Sequence, residues 1–453
     1  MTAVADRIVP VVRTLLGGRL PVRLRAWDGS EAGPPDGPVV ILRHRRALRR
    51  LLWQPDELGL AQAYISGDLD VEGDLGTALG AAWRALRADG GPAGGGPARI
   101  GPSDALGALG TALRLGVIGP RPPAPGEPAR LAGALHSKSR DRAAISHHYD
   151  LSNAFYALLL DPSMAYSCAY WTQDARQNGQ AGQKPDYGLA DAQRDKLELI
   201  CRKLALRPGA RLLDIGCGWG SLSLYAAEHH GAHVTAVTLA REQRDHVREQ
   251  IQARSLTDRV TVELRDYRDL TQGPGQEPYD AVSTIEMGEH VGDAEYPGFA
   301  ATLHRMLRPR GRALVQQMSR GANAPGGGAF IETYIAPDMH MRPLGETIGL
   351  LTGAGLEVRS AESLREHYVR TVAAWHRTLE ERWDDVVAMV GPATARVWRL
   401  YLVGGALAFA ERRMGVDQIL AVRPGADGGS GMPATPHDWY ATAGTGTAGG
   451  GSP

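Results

Sequence analysis

The chain has 453 residues, enough for two or three domains of ordinary size. Its 50 Lys and Arg offset 50 Asp and Glu, so no global field steers it to nucleic acid or to an anionic membrane, and any basic contact must be local. Cys168, Cys201 and Cys217 are an odd set without paired spacing, which fits a reducing, cytoplasmic compartment and argues against a disulfide framework or a zinc site. Asp6 and Arg13 interrupt the apolar N-terminus, so it is not expected to be a strong targeting segment. Gly/Pro-rich tracts at 28–38, 89–102 and 116–128 set off a first domain, residues 1–90, as a small α+β unit. In it VRLRAW and VVILRH read as strands, and 46–53 and 57–65 as helices. Arg43, Arg45, Arg46, Arg49 and Arg50 form a basic cluster suited either to lipid phosphate or to a solvated helix face.

Residues 91–135 read as a Gly/Pro-rich linker and 136–424 as a second domain. From about Ala190, strand-like runs (RLLDIGCG, HVTAVTL, VTVELRDY, YDAVSTIE, RALVQQM) alternate with helix-like ones at 221–230 and 241–254. This is the pattern of a doubly wound, Rossmann-like α/β sheet with crossover helices. The apolar stretch Tyr401 to Ala410 falls short of the roughly 20 residues that cross a bilayer, so contact with lipid would be from the side. Residues 425–453, mostly Gly, Ala, Ser and Thr, read as a disordered tail.

The first strand of the second domain runs into Asp214-Ile-Gly216-Cys217-Gly218-Trp-Gly220, a glycine turn at the place where such sheets bind nucleotide-like ligands. Its GxGxG spacing differs from the GxGxxG that cradles a pyrophosphate. S-adenosylmethionine (SAM) has no phosphate and needs only close backbone approach; the bland alternative is a tight turn without a ligand. Thr238 ends the second strand with Gln243 just after, suited to ribose hydroxyls, and Asp266-Tyr267 ends the third, suited to an adenine.

The segments HHYDLSNAFYALLLDPSMAYSCAYW, AQRDKLELICRKLALRPGARLLDIGCGWGSL, VTLAREQ, LRDYRDL, EMGEHVG, FIETYIAP and HYVRTVAAWHRTLE occur in that order between Ser146 and Pro424. Together they resemble the cyclopropane-fatty-acyl-phospholipid synthase family, which includes the mycolic acid cyclopropane synthases. The resemblance implies a SAM-dependent methyltransferase of lipid biosynthesis. It implies cofactor contacts at Tyr166, Ser167, Gly216 to Gly220, Thr238, Leu239, Gln243 and Tyr267. It also implies a bicarbonate ion held by the backbone at Cys168, the Glu289 carboxylate, the backbone around Met318 and the Tyr368 hydroxyl. One position departs from the pattern: Gln316 stands where well-known members have a histidine, and an amide can hydrogen-bond but carries no proton charge.

An alkene offers no proton to remove, so its methylation depends on positioning, on excluding water from the resulting cation, and on a base. Tyr166, Tyr170, Trp171 and Phe330 are the aromatic candidates for facing the cation, although rings mostly pack cores; Glu289 is the candidate to hold bicarbonate or act as base. Cys168 has no activating base nearby in sequence and reads as structural. His147-His148 lacks further ligand spacing, so no metal is expected. LPVRLRAWDGSEAGP and YISGDLDVEGDL resemble the branch that makes 10-methylene acyl chains, later reduced by a separate flavoprotein to tuberculostearic-type lipids. That implies an unsaturated phospholipid substrate, peripheral contact with the inner membrane face, and a homodimer. The alternatives are a cyclopropane synthase, a small-molecule nitrogen or oxygen methyltransferase, and a catalytically weak lipid-binding protein.

Overall fold

Apolar runs bounded by turns assemble into a seven-stranded sheet in a computed structural model that describes residues 3–15, 18, 20–88, 110–129, 131–149, 152–173, 187–273, 277–321 and 326–439. Its strands are β5 (Arg211–Ile215), β6 (His233–Thr238), β7 (Val260–Leu264), β8 (Tyr279–Ile285), β9 (Leu307–Ser319), β10 (Glu357–Ser363) and β11 (Gly415–Val422). Their order is β10-β11-β9-β8-β5-β6-β7. β5 pairs in parallel with β6 on one side and β8 on the other, so the strand order reverses there and opens a crevice at the carboxyl ends. β5 is buried on both faces from Leu212 to Ile215, as a central parallel strand must be; crossover helices Ser221–His230 and Arg241–Ala253 pack over the sheet. β10 and β11 extend it antiparallel, an edge that the strand-like runs do not announce.

By packing, the chain divides into two units. One contains Met1–Arg130, Asn323–Pro337 and Val372–Glu411; the other contains Leu131–Ala322, Asp338–Thr371, Arg412–Pro453 and the seven-stranded sheet. Four short strands, β1 (Arg23–Arg25), β2 (Glu31–Ala32), β3 (Val39–Leu42) and β4 (Leu69–Glu72), form the first unit's sheet in the order β2-β1-β3-β4. Helices Arg46–Trp53 and Glu57–Ile65 fall on the expected residues.

This division differs from the boundaries 1–90, 91–135 and 136–424. Residues 372–411 belong to the first unit because Val403 completes a core with Ala5, Leu24 and Ala47. There Arg396 also donates to the Tyr64 and Leu69 carbonyls at 2.6 and 3.1 Å and pairs with Asp70 at 3.0 Å. The expected linker is in part strapped down: proline-rich backbone lacks N–H groups to pair, and its carbonyls take side-chain donors instead. Arg49 donates to Val117 O at 2.8 Å, Arg50 to Pro123 O at 2.7 Å and Tyr334 to Pro125 O at 2.8 Å; residues 91–109 lie outside the described ones.

The tail expectation is corrected for 425–439. Gly425 N donates to Gly429 O at 2.9 Å, Asp427 pairs with Arg310, and the Trp439 indole is buried and donates to Pro433 O at 2.7 Å. Residues 440–453 lie outside the described ones. The apolar stretch at 401–410 ends a 28-residue helix, Trp383–Ala410, long and apolar enough by composition to cross a membrane. Gly391 (φ 78°) followed by Pro392 interrupts it, and Val397, Trp398, Leu402 and Val403 are buried within the first unit.

Candidate active site

The glycine turn lies at the carboxyl end of β5 and is held by its own backbone. The N–H groups of Gly216 and Cys217 both donate to Val237 O on β6, at 2.9 and 3.0 Å. Gly216, Gly218 and Gly220 all adopt left-handed φ, at 79°, 55° and 84°, a region that disfavours side chains. A Cβ on Gly216 would meet Met287 Cγ at 2.9 Å, whereas one on Gly218 would project into open space. Asp214 is consumed locally, its buried carboxylate accepting from Ser223 at 2.7 Å and Ser283 at 2.8 Å.

The turn borders a cleft that is also lined by Tyr166, Ser167, Asp214, Gly216, Cys217, Gly218, Thr238, Leu239, Gln243 and Tyr267. Two expected contacts do not line it. Gly220 is held against Val247, whose side chain a Cβ would meet at 2.9 Å, and Asp266 is tied to Arg268 at 2.6 Å. Thr238 donates to Gln243 Oε1 at 2.7 Å, which leaves the buried Gln243 Nε2, at the wall of the cleft, as a donor without a partner among the described residues. Buried Lys196 also lines the cleft and donates to Ser167 Oγ at 2.8 Å.

Next to the turn, at the carboxyl end of β8, stands Glu286, which sequence reasoning missed. Its Oε1 accepts from Cys168 N at 2.7 Å and Gln316 Nε2 at 2.8 Å, and its Oε2 accepts from the Tyr368 hydroxyl at 2.6 Å. Its backbone is left-handed (φ 53°), pinned by its N–H donating to Gln316 O at 2.6 Å. For a residue with a Cβ that conformation costs roughly 1–2 kcal/mol, and such strain concentrates at functional sites. Burial pushes the Glu286 carboxyl above the usual carboxylate range, opposed by Tyr368, Cys168 N–H, Gln316 and the Lys196 ammonium.

Glu289 is placed differently. It is fully buried, does not line the cleft, and neither carboxyl oxygen has a hydrogen-bond partner among the described residues. Backbone N–H groups of Glu289 and Met318 favour its anion without closing a hydrogen bond, and burial outweighs them. Burial, with the neighbouring Glu286 charge second, pushes it well above the usual range. Of the two carboxyls, Glu289 is thus the one whose proton is held more strongly.

Cys168 contributes its N–H, while its buried thiol is pushed far up by burial and is no nucleophile. Of the aromatic candidates only Tyr166 lines the cleft. Tyr170 stacks on His367 at 4.7 Å, Trp171 donates to Thr371 at 3.1 Å, and Phe330 packs near Tyr334 in the other unit. The His147 and His148 side chains lie outside the described ones; among described residues no group of three or more His, Cys, Asp or Glu is poised for a metal.

The family model for mycolic acid cyclopropane synthetase matches residues 136–419. The chain belongs to this family. A probable fatty acid methyltransferase of Pseudomonas putida is 35% identical over 96% of this chain and 99% of its own length. Tuberculostearic acid methyltransferase of Mycobacterium tuberculosis is 30% identical over 93% of this chain and 92% of its own. The mycolic acid cyclopropane synthase CmaA1, solved with SAH and CTAB, superposes with a TM-score of 0.56 at 28% identity, covering 62% of this chain and 97% of its own.

As a family member the chain is a SAM-dependent methyltransferase of the class I, Rossmann-like fold acting in fatty acid and lipid modification. The cleft fits the cofactor: Gln243 Nε2 offers an unused buried donor, and the space a Cβ on Gly218 would fill is open. The bicarbonate ligand set does not hold. Cys168 N–H and the Tyr368 hydroxyl are already spent on Glu286, and a second anion beside that carboxylate would meet like-charge repulsion with little screening.

Proposed function

We propose that the protein methylates an olefinic carbon of an unsaturated, oleoyl-like phospholipid acyl chain and releases a 10-methylene product, working as a peripheral protein at the cytoplasmic membrane face. The observation that carries the reading is the extent of similarity. The match to tuberculostearic acid methyltransferase runs over 93% of the chain and so through both units, whereas the family model begins only at residue 136. The product would pass to a separate flavoprotein reductase.

The bound cofactor supplies an electrophilic methyl group. The glycine turn and Gln243 fix its position, and Met164, Ile285, Met287 and Val291 give the cleft apolar walls that suit an acyl chain and keep water from a cation. In the first unit, Leu52, Trp53 and Ile118 are 45%, 55% and 47% exposed. The Trp53 indole is fixed by donating to Gly119 O at 3.0 Å, and Arg45 and Arg46, at the start of the same helix, are exposed as well. Amphipathic tryptophan and arginine suit a phospholipid surface.

Mass spectrometry of phospholipid acyl chains from an oleate-containing host expressing the protein tests the reading. A gain of one CH2 that fragments as an exomethylene is expected. A ring would favour the cyclopropane alternative, which the similarity to CmaA1 supports. Unchanged lipids despite folded, SAM-binding protein would overturn the substrate assignment.

A further inference from the structure

We propose that Glu286 is the proton acceptor of the reaction, so that the chain itself carries the carboxylate that family resemblance assigns to a bound bicarbonate. This rests on the alkene-methylation reading above. When the alkene π pair bonds to the methyl carbon, the S–CH3 bond would break with its electron pair left on the cofactor sulfur, and the other olefinic carbon is left as a cation. A 1,2-hydride shift moves the cation onto the methyl-bearing carbon, and a C–H bond of the new methyl then breaks, its electron pair forming the exomethylene C=C; without the shift the same pair closes the third C–C bond of a ring. The proton moves to Glu286, which returns it to solvent before the next turnover.

Four features of this chain point there. Glu286 lines the same cleft as the cofactor turn, and Glu289 does not. Its acceptor capacity is nearly but not wholly filled: a carboxylate offers about four lone-pair sites. Among the described residues two on Oε1 and one on Oε2 are taken, which leaves one on Oε2 for a proton.

The polarity around it is also fixed from a distance. The Lys203 ammonium can only donate, so Gln418 presents its carbonyl oxygen to it at 2.7 Å. The Gln418 nitrogen then donates to Gln316 Oε1 at 2.8 Å, and Gln316 is left with its N–H facing Glu286. Such a relay favours an anion at residue 286, and it gives a physical reason for an amide where relatives have a histidine. Finally, the left-handed backbone of Glu286 is a conformation glycine adopts without cost, so the strain is tolerated for the sake of the side chain.

Glu286→Gly is therefore the informative variant: it removes the carboxylate, relieves the backbone and leaves a carboxylate-sized space with its donors intact. Wild-type turnover is expected to be unchanged between CO2-depleted and bicarbonate-supplemented buffer. Glu286→Gly is expected to lose about 10²-fold or more without bicarbonate and to recover saturably when bicarbonate is added. A wild-type rate that requires bicarbonate, or a Glu286→Gly variant fully active without it, would overturn the proposal. Carbon-13 NMR of labelled bicarbonate with SAM-saturated protein separates this from the substrate question. Binding to Glu286→Gly but not to wild type supports the replacement even if lipids prove unmodified, and saturable binding to wild type contradicts it.

Discussion

The cofactor turn and the carboxylate centre line the same cleft, yet they are built in opposite ways. The turn is a backbone device made by five consecutive residues, Gly216 to Gly220, whose left-handed glycines and paired N–H groups lie within one loop and its neighbouring strand. The carboxylate centre is made by side chains and one N–H from distant parts of the chain: Glu286 after β8, Cys168, Gln316 on β9 and Tyr368. The first kind of site is written in local spacing, while the second exists only once the sheet has formed. Perturbing one should therefore leave the signature of the other in place.

Short of removing the carboxylate, the largest effect should come from Tyr368→Phe. A hydrogen bond to a charged group contributes roughly 1.5–3 kcal/mol, so turnover should fall about 10- to 100-fold while SAM affinity, read by calorimetry, stays near wild type. On the cofactor side, Gly216→Ala must hold a Cβ at φ 79° against Met287. That should weaken SAM binding by roughly tenfold, from about 1–2 kcal/mol of strain, and leave the pH–rate profile unmoved.

The pH–rate profile itself follows from the groups facing Glu286: burial raises its proton affinity, and Tyr368, Cys168 N–H, Gln316 and Lys196 oppose it. The ionised form is the active one. The rate should therefore fall with decreasing pH through an apparent pKa above the usual carboxylate range, and Tyr368→Phe should move that limb higher still. The smallest effect is expected from Gln418→Met, which frees the Gln316 amide to turn. Losing one neutral hydrogen bond of about 0.5–1.5 kcal/mol should lower turnover by a few-fold and shift the acid limb upward without altering SAM affinity.

Much of the fold was legible because periodicity is local. Helix Ser221–His230 and the five strand-like runs around the glycine turn fall where the pattern put them. The antiparallel strands β10, at the edge, and β11, between β10 and β9, were not, because their mixed polar and apolar residues carry no clean alternation. Nor was the membership of residues 372–411 in the first unit, since nothing in a continuous sequence tells a helix which core it joins. At the site, resemblance drew the eye to Glu289 and past Glu286, three residues earlier. The available signals were its position one residue beyond β8 at the strand-order reversal and the amide at Gln316; the positive φ and the amide relay from Lys203 had no trace in sequence.

The most direct test sets the two carboxylates against each other. Glu286→Gln and Glu289→Gln are each compared with wild type in single-turnover product formation at neutral pH, with SAM binding confirmed for both. With Glu286 as the base and Glu289 outside the cleft, Glu286→Gln should lose about 10²- to 10⁴-fold, and Glu289→Gln should stay within about tenfold of wild type. The reverse order, with Glu289→Gln inactive and Glu286→Gln active, would contradict the account.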